Sequence, residues 1–146
     1  MSEKSTQKQL EDRFRSLVLE NRYLEGLITD FQSRMSILDA AVREYATTEA
    51  TISGLKELRE DDEILVPMGG GSFIKAKVTD TQRVIIGVGA GTALEKPGDE
   101  AKANVQAQIS QLQQLRSSIQ TELMKVVERM EAVRAELNKL AGSART

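Results

Sequence analysis

The chain has 146 residues, of which 29% are charged and 3% aromatic; its net charge is −2, and it contains no Trp, no Cys and no His. That balance leaves no basic footprint for nucleic acid, and the absence of Cys excludes a disulfide framework or a thiol site. With His missing as well, the usual metal sites and most nucleophile–base pairs are ruled out, so an enzyme is a poor reading and no cofactor is expected. The N-terminus carries no signal-like pattern, and no apolar run approaches the roughly 18 residues of a membrane span, so the expectation is a soluble, cytoplasmic protein.

From about Gln7 to Leu58 the apolar residues recur at alternating spacings of three and four. Placing Phe14, Ile28, Met35 and Val42 at heptad position a puts Leu10, Leu17, Leu24, Phe31, Leu38, Tyr45 and Ile52 at d, with Asn21 and Glu49 as polar members of the frame. A register held over about six heptads predicts a coiled-coil helix, roughly 75 Å long at 1.5 Å per residue. Beyond Glu49 the spacing of Ile52, Leu55 and Leu58 leaves the frame, and the seam drifts. An a-position Asn reads either as a register-specifying residue or as a polar contact for a partner. Glu49 reads as the point where the seam opens to water; neither residue is assigned a binding role.

Between Asp61 and Gly98 the period shortens to two or gives way to continuous apolar runs. Glu63–Met68 reads as a strand, Gly69-Gly70-Gly71 as a tight reversal and Ser72–Val78 as the returning strand. Thr79–Gln82 is a second turn, Arg83–Val88 a third strand, and Gly89-Ala90-Gly91 turns into Thr92–Glu95. Isolated hairpins are marginal in water, and this pair offers open edges together with Val84-Ile85-Ile86, a run apolar on both faces. The insert is therefore expected to be an assembly surface, formed by Ile64, Val66, Phe73, Ile74, Val84, Ile85, Ile86 and Val88. Neither glycine cluster reads as a phosphate site: the first lacks the GK[ST] end of a P-loop, and the second fails to complete GxGxxG because position 92 is Thr.

Pro97-Gly98 stops the sheet, and Asp99 is the expected N-cap of a second helix. From about Glu100 to Leu140 a frame that needs no stutter places Ile109, Leu123, Met130 and Leu137 at a and Val105, Leu112, Ile119, Val126, Val133 and Leu140 at d, interrupted only by Arg116, whose stem is expected to pack while its head snorkels out. The predicted fold is mainly α with a small β insert: a long antiparallel two-helix coiled coil joined by two central β-hairpins that assemble into an intersubunit β-barrel. Its parts are an N-terminal helix over 1–60, the two-hairpin platform over 61–98 and a C-terminal helix over 99–146, together one elongated domain.

Helix, two hairpins, helix is an arrangement that, with Leu65-Val66-Pro67-Met68-Gly69-Gly70-Gly71-Ser72-Phe73-Ile74-Lys75-Ala76 and Val84-Ile85-Ile86-Gly87-Val88-Gly89-Ala90-Gly91, resembles the α-type subunit of prefoldin. Thr92-Ala93 departs from the family pattern, standing where bulkier apolar or aromatic residues are expected. The resemblance implies an α2β4 hexamer with β-type prefoldin subunits. It implies nucleotide-free holding of non-native client proteins at the arm tips, and their transfer to a group II chaperonin. Seam residues near the termini, Leu10, Phe14, Leu17, Met130, Val133, Leu137 and Leu140, are then the expected client contacts, released by fraying of the helix ends. The competing reading is a passive coiled-coil scaffold or tether without chaperone activity.

Overall fold

A computed structural model describes residues 2–144. In chain order it contains α1 (Ser2–Leu55), β1 (Glu63–Gly69), β2 (Ser72–Lys77), β3 (Arg83–Gly89), β4 (Thr92–Pro97) and α2 (Gly98–Ala144). Both helices run unbroken because the two prolines of the sequence, Pro67 and Pro97, fall within the β insert, away from the i→i−4 ladders they would interrupt.

α1 ends in a tightened turn, where the amides of Lys56, Glu57 and Leu58 donate to the carbonyls of Ser53, Gly54 and Leu55. Asp61 then takes a left-handed conformation at φ 70°, and the chain enters β1 with the Asp61 amide donating to the Val78 carbonyl and the Val78 amide to that of Asp62. These two bonds close the base of the first hairpin over Val78, which is buried.

The hairpins form two separate two-stranded antiparallel sheets, and they are the same module used twice, twenty residues apart. In β1–β2 the pairs run from Glu63 opposite Lys77 to Gly69 opposite Ser72, with a register shift between Pro67 and Gly69. In β3–β4 they run from Arg83 opposite Pro97 to Gly89 opposite Thr92, with the shift between Gly87 and Gly89. The turns match as well: φ is 97°, 59° and 77° at Gly69, Gly70 and Gly71, against 97°, 51° and 73° at Gly89, Ala90 and Gly91. Asp80 organises the connection between the modules by accepting from the amides of Gln82 (2.8 Å) and Arg83 (3.2 Å), the side-chain turn for which Asp is suited.

Contacts within the chain group into two units, residues up to 39 with those from 114 onward, and residues 40–113. The second unit holds the hairpins and the adjoining parts of both helices. Its core is Ile52, Ala101 and Val105, with Val84, Ile86 and Ile109 packed against it. Val84 and Ile86 thus face the helices, while Ile85 between them is 76% exposed, as strand alternation requires. Glu49, expected to open to water, accepts a hydrogen bond from Gln106 Nε2 at 2.9 Å. The structure corrects one expectation here. α2 begins at Gly98, whose amide donates to the Gln82 carbonyl, so Asp99 lies inside the first turn and its carboxylate is engaged by Lys56. Lys56 holds that carboxyl below the usual range.

In the first unit α1 and α2 run antiparallel, with Arg13 paired to Glu136, Glu20 to Arg129 and Asp39 to Arg116. Its core is Leu17, Leu24 and Val133, with Leu27, Val126, Met130, Leu137 and Leu140 against them. Apart from Leu27, all are seam positions of the predicted heptads. Arg116 turns its head to Asp39, with N···O distances of 2.6 and 3.4 Å. Asn21 bridges the helices, donating to Glu25 (3.2 Å) and accepting from Arg134 Nε (3.2 Å).

Candidate functional site

Apart from scattered ones such as Leu19, Tyr23 and Ile37 along the helices, exposed apolar side chains among the described residues gather on two surfaces. One lies where the N-terminal end of α1 meets the C-terminal end of α2. Leu17 and Val133 are completely buried, but one heptad further out the seam loses its cover: Phe14 is 40% and Leu10 47% exposed. These two residues, with Val18, Leu140 and Ala141, line a groove of about 970 Å³ whose rim carries Gln7, Glu11 and Arg15. Of the seam residues singled out from the sequence, Leu10, Phe14 and Leu140 line this groove. Leu17 and Val133 form the core beneath, and Met130 and Leu137 pack half-buried against that core.

Val18 was not anticipated, because it lies off the a/d frame. The signal was present in the sequence: Val18 and Ala141 each directly follow a d residue, at e positions where a two-stranded coiled coil ordinarily carries charge. One heptad inward the same flank does carry charge, with Arg134 donating to Glu25 at 3.0 Å. The opposite flank is closed by two ion pairs. Arg13 reaches both oxygens of Glu136 at 3.0 Å, and Arg129 those of Glu20 at 2.7 and 3.0 Å. The hydrogen bond from Arg129 lowers the Glu20 pKa, and that from Arg13 lowers the Glu136 pKa. Both guanidiniums are correspondingly raised.

The second surface is the hairpin pair. Phe73, Ile74, Ile85 and Val88, all expected assembly residues, are more than half exposed, and Val66 is exposed to a lesser degree. Ile64 is half-buried, and Val84 and Ile86 are committed to the helix core of the same unit. Leu65, Met68 and Leu94 add exposed apolar area that the sequence reading did not single out. Leu65 and Leu94 were legible from the internal repeat, which puts Leu65 in the place of Ile85 and Leu94 in the place of Ile74. Among the described residues every strand also has one edge without a strand partner. Open edges and a bare apolar face on a two-stranded sheet are not stable in water by themselves.

Among the described residues no group of three or more His, Cys, Asp or Glu is placed to hold a metal ion, and no helix is long and apolar enough to cross a membrane.

The arrangement is therefore that of a subunit: a paired-helix element with an uncovered apolar end, and a sheet element that other strands must complete. Comparison with known proteins agrees. The model of the prefoldin subunit family matches residues 24–143. The chain is 35% identical to prefoldin subunit alpha of Methanopyrus kandleri over 84% of this chain and 78% of that protein, and 27% identical to prefoldin subunit alpha of Methanococcus vannielii over 92% and 88%. Its structure resembles a chain of filamentous prefoldin from Methanocaldococcus jannaschii, with a TM-score of 0.70 and 25% identity over 80% of this chain and 97% of that one. The chain belongs to the prefoldin family, a family of chaperone subunits rather than enzymes, whose members assemble with other prefoldin subunits.

Proposed function

We propose that this chain is the α-type subunit of a cytoplasmic α2β4 prefoldin hexamer that captures non-native polypeptides without nucleotide and delivers them to a group II chaperonin. The observation that carries client capture is the uncovered apolar groove of Leu10, Phe14, Val18 and Leu140 at the coiled-coil end. Each apolar side chain of a client reburied there returns on the order of 1–2 kcal/mol. A few such contacts per subunit are individually weak and multiply across an oligomer, which suits capture and release without ATP. Leu17, Met130, Val133 and Leu137 join the contact surface only where the helix ends part. Assembly falls to the hairpins, through Ile64, Val66, Phe73, Ile74, Ile85 and Val88, with Val84 and Ile86 fixing β3 to its own helices.

The test is to purify the chain with and without a β-type prefoldin subunit, measure mass by light scattering, and assay suppression of aggregation of a chemically unfolded protein without ATP. A mixed hexamer that suppresses aggregation supports the proposal. A monomer or dimer without suppression, with or without partner, returns the chain to the scaffold reading. A second reading is self-assembly of this chain alone. It is favoured by the repeat of one hairpin module within the chain and by the filamentous assembly of the similar structure, and a large mass for the chain without partner would select it.

A further inference from the structure

We infer that the polar residues interrupting the seam form a register lock: they are matched across the two helices in one alignment only, so that helix ends that part close again in that alignment and one helix does not slide along the other. The inference concerns how the helices pair and does not depend on what they hold.

Asn21, Glu49 and Arg116 are the three polar members of the heptad frames, each at an a position. In the structure each meets a polar side chain of the opposite helix. Asn21 accepts from Arg134 and Glu49 from Gln106, while Arg116 donates to Asp39. Lys56, one heptad beyond Glu49, continues the row by engaging Asp99. The partners also share a place in the pattern: Arg134, Gln106 and Asp39 each directly follow a d residue, and Asp99 stands one heptad before Gln106. Within each packing unit taken by itself the pairs keep step. From Lys56–Asp99 to Glu49–Gln106, α1 falls back and α2 advances by seven residues alike, and from Asp39–Arg116 to Asn21–Arg134 by eighteen alike.

An apolar seam repeats every seven residues, so sliding one helix by a heptad brings apolar residues back against apolar ones. The polar residues remove that degeneracy. Slid in one direction, Asn21 meets Val127 and Arg116 meets Gln32, and the flanking ion pairs give way to Arg13 against Arg129 and Glu20 against Glu122. Slid in the other, Asn21 meets Ala141, Arg116 meets Ala46 and Glu20 meets Glu136. Either way Arg116 loses its acid and like charges come together, so the wrong alignments are penalised as well as the right one favoured. A polar residue at a specifies register at a cost in stability, and register is the best-attested use of such groups. The lock therefore has a signature that a merely stabilising contact lacks: its removal loosens the alignment without lowering the melting temperature.

The chain lacks cysteine, so Ser33→Cys/Lys139→Cys carries spin labels at two exposed sites only. In the observed alignment these sites lie about 25 Å apart along the helices. The labelled full-length chain is diluted into unlabelled chain, so that each assembly holds one labelled copy, and assembled with a cysteine-free β-type prefoldin subunit. Pulsed electron resonance then reads the distance within one chain, and a single distance is expected. Adding Glu20→Gln/Asn21→Leu/Arg116→Leu/Arg129→Gln should produce a second distance displaced by about 10 Å, one heptad of helix, with the melting temperature unchanged or raised. Asp39→Arg/Arg116→Asp exchanges the partners and keeps the match, and should retain the single original distance. One distance in the fourfold variant, with helix content intact by circular dichroism, would show that apolar packing alone sets the alignment and would overturn the inference. A second distance in the exchanged pair, where the match is kept, would overturn it equally.

Discussion

Leu17 and Val133, from opposite ends of the sequence, share one cluster and are the two largest wholly buried side chains among the described residues. Their burial marks the boundary between the sealed seam and the uncovered residues beyond it. Truncating either opens a cavity that helix-on-helix packing cannot refill, whereas truncating Leu10 removes atoms that are already half in water. Leu17→Ala should cost about 2–5 kcal/mol of local stability and Leu10→Ala a small fraction of that. Amide hydrogen exchange across residues 10–24 and 126–140 reads the difference, and equal effects would contradict the packing described.

The ion pairs make this end sensitive to acid. The carboxyls of Glu20 and Glu136 are lowered in the folded state by their Arg partners, so on acidification the unfolded state takes up protons first. Their contribution is complete above the ordinary glutamate range of about 4.3 and is lost as pH falls through the lower folded values. Exchange protection of the helix ends should therefore fall below that range, and it should fall less steeply in Glu20→Gln/Glu136→Gln, which starts from lower protection. Parallel pH curves for the two proteins would show that the pairs contribute nothing.

The hairpin repeat predicts outcomes of different size at corresponding turn positions. Gly70 and Ala90 occupy the same place in the two turns, at φ 59° and 51°; since Ala is already tolerated in one, Gly70→Ala should cost no more than the roughly 1 kcal/mol of an Ala in the left-handed region. Gly89 at φ 97° lies where an L side chain is strained, and Gly89→Ala should cost about 1–3 kcal/mol. Thermal melting of the assembled protein separates the two, and a loss at Gly70 as large as at Gly89 would contradict the repeat.

Ile85 is exposed on the face of β3 opposite its own core. If that face is covered by other subunits, Ile85→Asp buries an unpaired charge on assembly and should abolish the oligomer while leaving helix content intact. Val84→Asp should instead damage the chain's own core. Light scattering with circular dichroism distinguishes the two, and an intact oligomer in Ile85→Asp would remove β3 from the interface.

Much of this organisation is legible in the sequence because both halves of it are periodic. The three–four spacing located both helices and nearly every seam residue, and the change of period to two located the four strands to within two residues at each end. Asp99 was misjudged because its capping chemistry competes with a distant cation: Lys56 is 43 positions away, and its arrival at the start of α2 is a tertiary event. Val18 and Ala141 escaped a two-position seam pattern for a related reason. Their significance lies in the absence of an ion pair whose existence depends on the antiparallel register. The split of Val84 and Ile86 from Ile85 follows from strand alternation, but which face meets the helices is set by the docking of the hairpin on Ile52, Ala101 and Val105.

On the proposed function, the helix ends hold clients and the hairpin sheets assemble. The most direct test is Phe14→Glu/Leu140→Glu in the full-length complex with its β-type partner, measured for mass and for suppression of aggregation without ATP. An unchanged mass with client holding lost from this subunit's arms is the predicted result; full suppression, or loss of the complex itself, would contradict the division.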